Sequence, residues 1–289
     1  MSDDPFARHR SLLFTVAYEM LGSAADADDV VQETWLRWAE VDRDDVRDPR
    51  AYLVRIVTRQ ALNRLRTLSR RREDYVGEWL PEPLLTSPDV AEDAELAESV
   101  SMAMLTVLET LGPTERAVLV LHEVFDVPYE DIAEAVGKSA AAVRQIAHRA
   151  REHVAARRPR MTVSRSEQQQ VVDRFLAALA GGDVQGLMDV LAPDVVVVAD
   201  SGGLAPAALR PVSGQWRVAN AFSRFAALAP RVEITTPLVN GTVGVRVDPG
   251  GEFDTAITFV VEDGRITRMY AMRNPNKLGR LDDVADLRR

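Results

Sequence analysis

The sequence contains no cysteine, which excludes a disulfide framework, a thiolate nucleophile and a cysteine-ligated zinc site. All four histidines lie in the first 153 residues, so a histidine-based metal site or triad in the second half is excluded as well. No apolar run approaches the roughly 20 residues that a membrane helix needs, and the N-terminal residues lack the pattern of a signal peptide. We therefore expect a soluble cytoplasmic protein that uses no metal and no cofactor and binds no membrane.

The composition is that of a folded protein with several domains. Of the 289 residues, 46% are hydrophobic and 27% are charged, which supplies enough apolar surface for cores and excludes wholesale disorder. The length favours two or three domains. The net charge of −9 argues against a chain that coats nucleic acid without specificity, although it leaves room for local basic faces.

Patterning divides the chain into two all-α helical domains followed by an α+β domain. Helical periodicity marks the first two blocks, and a proline-containing acidic stretch separates them. In the last block helix patterns alternate with β-branched strands, and its DG and PGG turns have hairpin chemistry. We assign a first helical domain, a linker, a second helical domain, an α+β domain and a tail to residues 1–70, 71–95, 96–160, 166–278 and 279–289.

The first helical domain contains a helix with two contrasting faces. Ser23, with Asp26 three residues on, predicts its start because the pair resembles a capping box. Apolar residues at helical spacing predict a core-facing stripe of Ala27, Val30, Val31, Trp35 and Trp38. The other face carries Asp29, Gln32, Glu33 and Leu36. From the residues alone, a solvated polar face is the simpler explanation of this second set.

The next helix of this domain carries a basic row. Asp48-Pro49 predicts its start, with the aspartate as N-cap and the proline at the first helical position. The inward face is predicted to comprise Leu53, Ile56, Val57, Ala61, Leu65 and Leu68, and a different face carries Arg55, Arg59, Asn63 and Arg66. Guanidinium and amide groups in one exposed row suit phosphates and base edges. A solvated basic face explains the row equally well.

The second helical domain gives the strongest signal in the chain. A short helix after Pro128, a left-handed C-cap at Gly137 and a longer helix capped by Ser139 follow the pattern of a helix-turn-helix. The inner face of the longer helix is predicted to be Val143, Ile146, Ala147, Ala150 and Val154. A recognition helix reads the major groove with its N-terminal residues. We expect Ala140, Ala141, Arg144 and Gln145 near bases and Arg149 and Arg151 near the DNA backbone, with His148 on the same exposed face. An ordinary helical hairpin is the alternative.

Three stretches together resemble one protein family. They are DADDVVQETWLRW (Asp26 to Trp38), DPRAYLVRIVTRQALNRLR (Asp48 to Arg66) and LGPTERAVLVLHEVFDVPYEDIAEAVGKSAAAVRQIAHRARE (Leu111 to Glu152). Their combination resembles the extracytoplasmic-function sigma factors of the sigma-70 family. The resemblance implies two partners, core RNA polymerase and promoter DNA. A factor of this family works inside a holoenzyme and catalyses no reaction itself.

The resemblance also implies a role for each candidate surface. The two-faced helix would bind the clamp of the polymerase large subunit through its second set of residues, which overturns the solvated-face explanation. The helix after Asp48 would recognise and help to open the −10 promoter element through its basic row. The helix-turn-helix would read the −35 element.

The linker and the α+β domain extend the resemblance. YVGEWLPEPL (Tyr75 to Leu84) is similar to a segment of the subgroup that carries a C-terminal SnoaL-like extension, a cone of helices on a curved antiparallel sheet. The subgroup has a DGGGK-type and an NPDKL-type motif, where this chain has DSGGL (Asp200 to Leu204) and NPNKL (Asn274 to Leu278). In the subgroup the extension regulates the sigma factor from within the same chain. The implied regulatory residues are Trp79, Leu80, Pro81, Leu84, Asp200, Gly202, Gly203, Asn274, Pro275, Lys277 and Leu278.

Burial arguments add an expectation for the linker itself. Trp79, Leu80 and Leu84 are costly to leave in water, at roughly 1.5–3 kcal/mol for each large apolar side chain. We therefore expect them to dock on the C-terminal domain, which would then act in cis as a partner of the sigma domains.

A catalytic C-terminal domain is the competing hypothesis, because SnoaL-like folds also host enzymes with a pocket carboxylate as general base. The candidates are Asp200, Glu233, Glu252 and Asp254, with Tyr270 as the domain's one tyrosine. No two of these carboxylates are paired at a telling spacing, and an aspartate in a glycine turn usually bonds its own backbone. A pocket that senses a small molecule is favoured over catalysis. For the whole chain, the alternative is a SnoaL-like enzyme or sensor fused to a helix-turn-helix regulator that acts without polymerase.

Overall fold

The computed structural model describes residues 4–42, 46–72, 75–157, 163–228 and 232–289. The chain forms two compact units. The helical unit consists of the described parts of Met1–Asp74, Met104–Arg158 and Asp286–Arg289. The sheet unit consists of the described parts of Tyr75–Ala103 and Pro159–Ala285.

The helical unit begins with three helices whose starts follow the capping signals of the sequence. They are α1 (Pro5–Leu21), α2 (Ala24–Ala39) and α3 (Pro49–Arg72). The Ser23 hydroxyl accepts a hydrogen bond from Asp26 N at 3.2 Å, and the Asp48 carboxylate accepts one from Ala51 N at 3.0 Å. Both caps satisfy amide groups that have no partner within the first helical turn.

The same unit contains the helix-turn-helix, which confirms this part of the predicted fold. The helices that follow are α6 (Met102–Leu108), α7 (Pro113–Glu123), α8 (Tyr129–Val136) and α9 (Ala140–Ala155); the first two residues of α6 belong to the sheet unit. Gly137 ends α8 with a φ of +69°, and the Ser139 hydroxyl starts α9 by accepting from Ala142 N at 3.2 Å. The residues predicted to face inward along α9 are all buried, namely Val143, Ile146, Ala147, Ala150 and Val154.

A buried arginine joins the two groups of helices within this unit. Arg116 of α7 is 2% exposed, and its guanidinium donates to Met20 O at 2.8 Å and to Leu108 O at 2.9 Å. It also pairs with Glu109 at 2.7 Å. Burial lowers the pKa of Arg116 to about 9, which leaves it charged at neutral pH. The carbonyl at the C-terminal end of α1 is a favourable site for such a cation.

The sheet unit is built on a mixed β-sheet. Its described strands are β1 (Leu85–Thr86), β2 (Leu191–Asp200), β3 (Val212–Ser213), β4 (Ile234–Thr235), β5 (Leu238–Val239), β6 (Thr242–Val247), β7 (Thr255–Glu262), β8 (Arg265–Met272) and β9 (Val284–Ala285). They run in the order β3-β2-β8-β7-β6-β5-β1-β9, with β4 paired to β6. The β2–β8 and β1–β9 pairs are parallel, whereas the family fold was expected to be antiparallel. A parallel pair needs a long connection between its strands, and both of these pairs join strands that are distant in sequence.

The predicted hairpin chemistry is confirmed between β7 and β8. Asp263 has a φ of +50° and Gly264 one of +69°, the combination that a type I′ turn requires. The strands on either side pair antiparallel, with Glu262 opposite Arg265.

Three helices cover one face of the sheet and form the main core of this unit. They are α10 (Arg165–Ala180), α11 (Val184–Val190) and α12 (Gln215–Leu228). Phe175 of α10 lies at the centre, edge-on to Phe222 at 5.2 Å and to Phe259 at 5.8 Å between ring centroids. This helical layer over the sheet is the cone that was predicted for the C-terminal domain.

The segment 75–103 covers the opposite face of the sheet. It contributes β1, α4 (Pro88–Glu92) and α5 (Ala94–Ser99). Leu80 and Met102 pack against β7 and β8 in an apolar layer with Ala256, Val260 and Tyr270. These sheet residues alternate with the core residues on the other face, as the period of a strand requires.

The division of the chain therefore differs from the predicted boundaries. The region 71–95 was expected to be a linker, and 96–103 to belong to the second helical domain. Residues 71 and 72 end α3 in the helical unit, whereas 75–103 belongs to the sheet unit, because it supplies β1, which pairs with β5 and β9, and the apolar cover of one sheet face. The tail 279–289 also divides, since Asp286–Arg289 belongs to the helical unit.

Candidate functional site

A buried carboxylate gathers the sequence motifs of the sheet unit. Asp200 lies at the end of β2 and is 0% exposed. Its Oδ1 accepts hydrogen bonds from Tyr75 Oη at 2.6 Å and from Gly202 N at 3.0 Å. Its Oδ2 accepts from Leu80 N at 2.9 Å and from Lys277 Nζ at 2.8 Å. Four donors from three separate segments satisfy a charge that would be very unfavourable if buried alone. We call these five residues, together with Asn274, the Asp200 cluster.

Lys277 connects this cluster to the aromatic residues of the segment 75–103. Besides Asp200, its ammonium group donates to Leu80 O at 2.7 Å. The same group lies 4.2 Å from the Trp79 ring centroid and 5.1 Å from that of Tyr75. Cation–π contacts of this kind strengthen when the cation is shielded from water. Lys277 of the NPNKL motif thus binds both the backbone and the aromatic rings of residues 75–80.

Tyr75 donates one hydrogen bond and accepts another. Its hydroxyl accepts from Asn274 Nδ2 at 2.7 Å while it donates to Asp200. Burial is the main cause that raises the pKa of Tyr75, and the hydrogen bond with Asp200 and the charge of Asp200 raise it further. The phenol therefore stays protonated at physiological pH, and the donor that Asp200 needs is always present.

The two glycines of DSGGL allow the segment to approach closely. Gly202 and Gly203 have φ angles of +57° and +74°. A Cβ atom on Gly202 would lie 2.5 Å from Asn274 Nδ2 and 3.0 Å from Tyr75 Oη. One on Gly203 would lie 3.2 Å from Val76. These positions need glycine both for backbone conformation and for space.

The other predicted regulatory residues divide into buried and exposed ones. Leu80 and Leu84 are each 1% exposed, and Leu278 is 4% exposed. Pro81 is also buried, Trp79 is half-buried under Lys277, and Pro275 is exposed.

A second anchor of the segment was missed in the sequence analysis. Asn240 is 0% exposed; it accepts from Leu84 N at 2.9 Å and donates to Val100 O at 2.7 Å. A Cβ on the adjacent Gly241 would lie 2.7 Å from Ala97 Cα. The Asn-Gly dipeptide signals a hairpin turn, but nothing in it signals these contacts from residues that lie far away in sequence.

The catalytic candidates do not assemble into a site. Asp200 is occupied by its four donors, Asp254 pairs with Arg246 at 3.2 Å, and Tyr270 is buried against the segment 75–103. Glu233 and Glu252 are exposed. Within the described ranges there is also no cluster of three or more histidine, aspartate or glutamate side chains that could hold a metal ion.

In the helical unit, the outer face of α2 is more apolar than predicted. Gln32 and Glu33 are exposed, and Leu36 is 52% exposed. Trp35 was predicted to be in the core, but it is 45% exposed. The prediction was wrong because Thr34, and not Trp35, fills the inward position between Val31 and Trp38.

Asp29 differs from the rest of that predicted surface because it is already paired. Its carboxylate accepts from Arg64 Nη2 at 2.6 Å, while Arg64 Nε donates to Asp26 at 2.7 Å. The hydrogen bond to Asp26 is the main cause that raises the pKa of Arg64. Arg64 of α3 thus crosslinks the start of α2, and Asp29 contributes to that crosslink.

The basic row of α3 is engaged within the helical unit. Arg55 forms an ion pair with the Glu134 carboxylate, and Arg59 donates to Glu134 O at 2.8 Å. Asn63 and Arg66 are exposed and bond to each other at 3.3 Å. One residue of α8 therefore occupies two of the four side chains that were predicted to contact the −10 element.

The exposed side of α9 carries the residues predicted to read DNA. Ala141, Gln145 and Arg149 are exposed and Ala140 is half-buried. Arg144 pairs with Glu130 at 2.9 Å, and His148 lies 3.6 Å from Glu152. Arg151 donates to Glu123 at 2.7 Å and to Tyr129 Oη at 2.6 Å; the bond to Glu123 is the main cause that raises its pKa.

The last four residues contact the middle of α1, which the sequence did not signal. Leu287 is 4% exposed, and Arg288 N donates to the Thr15 hydroxyl at 3.0 Å. The Ser11 hydroxyl donates to Asp286 at 2.5 Å, and this bond is the main cause that lowers the pKa of Asp286.

None of the described helices is long and apolar enough to cross a membrane.

Comparisons with known proteins agree with the fold and the motifs. Family models match for Sigma-70 region 2 over residues 6–71, Sigma-70 region 4 over 101–154 and a SnoaL-like domain over 172–269. The ECF RNA polymerase sigma factor SigJ of Mycobacterium tuberculosis is 38% identical, over 96% of this chain and 93% of that protein. The probable ECF sigma factor SigI of the same species is 31% identical, over 93% of this chain and 92% of that protein.

A solved structure supports the same assignment for the arrangement of the chain. The crystal structure of M. tuberculosis SigJ superposes with a TM-score of 0.75 at 36% identity, covering 94% of this chain and 96% of that one. Sequence, domain order and fold therefore agree along nearly the whole polypeptide. The chain belongs to the extracytoplasmic-function sigma factors of the sigma-70 family, and it carries a SnoaL-like domain fused in cis.

Proposed function

We propose that this sigma factor binds core RNA polymerase and promoter DNA through its helical unit, and that the sheet unit controls initiation by holding the segment between the two DNA-reading regions. The observation that carries the proposal is the Asp200 cluster, which binds Tyr75 and Leu80 of that segment. A protein that acts with polymerase on promoters acts in the cytoplasm and needs no catalytic group of its own.

The outer face of α2 is the proposed polymerase-binding surface. Trp35 and Leu36 are 45% and 52% exposed and lie beside the polar residues Gln32 and Glu33. Neighbouring apolar side chains in a polar surround are typical of a surface that a partner covers. The match to Sigma-70 region 2 over this helix favours polymerase docking over the alternative of a regulator that acts without polymerase.

The proposed promoter contacts lie on α3 and α9. Exposed Gln145 and Arg149 and the small Ala140 and Ala141 suit close approach to the major groove. On α3, the Arg55 guanidinium pairs with the carboxylate of Glu134 from α8, as it would pair with a DNA phosphate. We infer that this basic row exchanges Glu134 for promoter DNA during initiation.

Control in cis follows from chain geometry. The segment 75–103 joins α3 to the helix-turn-helix, and it is folded into the sheet unit by two anchors, the Asp200 cluster and Asn240. Released and extended, a stretch of this length could span roughly 100 Å. Holding the segment folded limits the distance between regions 2 and 4. That distance must match the spacing between the −10 and −35 elements of a promoter.

Trp79→Ala tests this proposal with a matched control in the same unit. Trp79 contacts Lys277 of the cluster, whereas Trp216 is 65% exposed and Trp216→Ala removes an equal side chain elsewhere. In run-off transcription with bacterial core polymerase on the gene's own upstream DNA, we expect Trp79→Ala to change the transcript yield and Trp216→Ala to leave it unchanged.

Truncated versions sharpen the same experiment. A chain ending at Arg273 lacks Asn274 and Lys277, and one ending at Arg160 lacks most of the sheet unit; we expect both to initiate differently from the full chain. Equal yields from the full chain, both tryptophan variants and both truncations would refute control in cis. Failure of every version to initiate would refute the polymerase-dependent function.

A further inference from the structure

A small apolar cavity lies between α12 and the sheet, apart from the Asp200 cluster. Val197 and Ala199 of β2, Ile257 of β7 and Ala271 of β8 form its floor, and Phe222 and Phe225 form a wall. Its volume is about 150 Å³, a size known to accept one benzene ring. Ala208 and Ala221 at its rim are exposed, so a small molecule can enter from solvent.

One cation lies at this cavity, and its hydrogen bonding is incomplete. Among the described lining residues, Arg273 alone carries a charge. Its Nη1 donates to Pro206 O and its Cζ lies 5.8 Å from the Phe225 centroid. Its Nε is buried and has no partner within the part of the chain that the structure describes. A buried donor without an acceptor is unfavourable, and an incoming acceptor would relieve this.

The surroundings of Arg273 indicate that the missing partner carries a negative charge. Burial lowers the pKa of Arg273, while the charge of Glu252 opposes that effect. Glu252 is exposed and forms no ion pair with Arg273 among the described residues. The guanidinium is therefore partly desolvated and lacks an acceptor for its Nε, and it lines an apolar cavity.

We propose that this cavity binds a small monocarboxylate that carries one ring or a short acyl chain. The carboxylate pairs with the Arg273 guanidinium, whose fork geometry suits two-oxygen acceptors. The apolar part lies between Phe222 and Phe225 and the sheet. Glu252 is the competing occupant from within the chain.

The cavity is positioned to report its occupancy to the Asp200 cluster, a consequence that rests on the proposed function. Ala199 faces the cavity and the next residue, Asp200, faces the cluster, because successive strand residues point to opposite sides. Arg273 N donates to Asp200 O at 2.7 Å, and Asn274 of the cluster follows Arg273 directly. A ligand on Arg273 therefore acts on the backbone that carries both cluster residues.

Calorimetric titration of the full chain with benzoate and with octanoate tests the proposal. We expect saturable binding of at least one of them at one site per chain, and binding at least about tenfold weaker for benzyl alcohol and benzylamine, which lack the carboxylate. Arg273→Met should weaken binding by about tenfold or more, and Ala221→Phe should block the rim. Arg210→Met, which removes an exposed arginine of the neighbouring loop, is the control that should bind normally.

The outcomes separate clearly. The proposal would be overturned if neither benzoate nor octanoate bound, or if the wild type and Arg273→Met bound with equal affinity. Binding that appears only in Glu252→Gln would also overturn it, because Glu252 would then be the resident partner. Thermal melting of each variant shows whether a lost signal reflects unfolding, and Ala221→Phe provides a test that leaves Arg273 in place. Binding is measured without polymerase, so its failure is distinct from a failure of control in cis.

Discussion

The two units use polar side chains in opposite ways. In the helical unit the candidate DNA-reading side chains lie at the surface and pair with acidic neighbours that solvent also reaches, as in Arg144 with Glu130. In the sheet unit the central polar group, Asp200, is fully buried and fully bonded. Exposed pairs exchange partners at little cost, whereas a buried charge is held strongly by its donors. The first arrangement suits binding of DNA and the second suits a permanent hold on a chain segment.

Breaking the buried arrangement should have the largest effect. Asp200→Asn leaves Lys277 short of a counter-charge, and we expect the free energy of unfolding, from urea titration, to fall by about 3–5 kcal/mol. Asp194→Asn, at an exposed position of the same strand, should change it by less than about 0.5 kcal/mol. A double variant that also carries Lys277→Met should recover part of the loss, because neither charge then remains unpaired. A loss for Asp200→Asn no larger than for Asp194→Asn would contradict the buried-charge account.

Changing the proposed polymerase-binding face should weaken binding of polymerase without affecting the fold. We expect Leu36→Glu combined with Glu33→Lys to weaken binding to core polymerase by about 2 kcal/mol or more, since central interface residues contribute that much. The melting temperature should stay close to that of the wild type because both side chains are exposed. Glu40→Gln, at the exposed C-cap of α2, changes the net charge by the same one unit and is the control. Unchanged polymerase affinity, measured by fluorescence anisotropy, would exclude this face.

Gly202→Ala should separate crowding from backbone strain. Its Cβ would meet Asn274 at 2.5 Å, so we expect a loss of about 2–3 kcal/mol in unfolding free energy, combining strain with displacement of the cluster. Gly250 also has a positive φ, but a Cβ there meets nothing within 4 Å. Gly250→Ala should therefore show the strain alone, about 1 kcal/mol. Equal losses of unfolding free energy in the two variants would show that the close approach of Gly202 to Asn274 does not contribute to stability.

Two variants of the recognition helix α9 should separate sequence specificity from general affinity for DNA. We expect Arg144→Ala to change the preferred −35 sequence, at about 1–3 kcal/mol for a lost base contact. Arg149→Ala should weaken all sequences alike and reduce the salt dependence of binding by about one counterion. Binding to a randomised −35 library at two salt concentrations measures both. An unchanged preference in Arg144→Ala would mean that another element reads this promoter element.

The smallest effect is expected from a change to the exposed ion pair of Arg55 and Glu134, which promoter DNA is proposed to replace. Glu134→Gln removes the carboxylate from Arg55 and should tighten binding of −10 DNA a few-fold, while stability changes by less than about 1 kcal/mol. Asp131→Asn removes an equal charge from the same helix and should have a weaker effect. Identical affinities for both variants would show that only net charge matters, and not occupation of the basic row.

Local signals in the sequence predicted the helices and turns of this protein well. The caps at Ser23, Asp48 and Ser139 and the left-handed Gly137 each depend on residues within four positions of one another. Resemblance supplied the order of the domains and named the motifs that meet at Asp200. Those motifs are short. Their glycines indicate an unusual backbone conformation and their charged residues indicate a need for partners, and both can be read from the sequence before the fold is known.

Contacts between distant segments could not be predicted in this way. Asn240 bonds to Val100 and Glu134 to Arg55 across large sequence separations, and neither residue type specifies its partner. Trp35 was misplaced because a tryptophan at helical spacing is usually in a core, whereas here it lies on the exposed face of α2. The region 71–95 was interpreted as a linker because its prolines and acids are typical of one, while the sheet face that its described part covers lies much later in the chain.

That separation has a consequence for the newly made protein. Tyr75 and Asn274 are 199 residues apart, and at about 5–20 residues per second a ribosome needs roughly 10–40 s to make the second after the first. Both regions that read DNA leave the ribosome within this interval, before the residues that hold the segment between them exist. A nascent chain therefore passes through a stage in which residues 75–103 are already made while the residues that hold this segment in the sheet unit are still being translated.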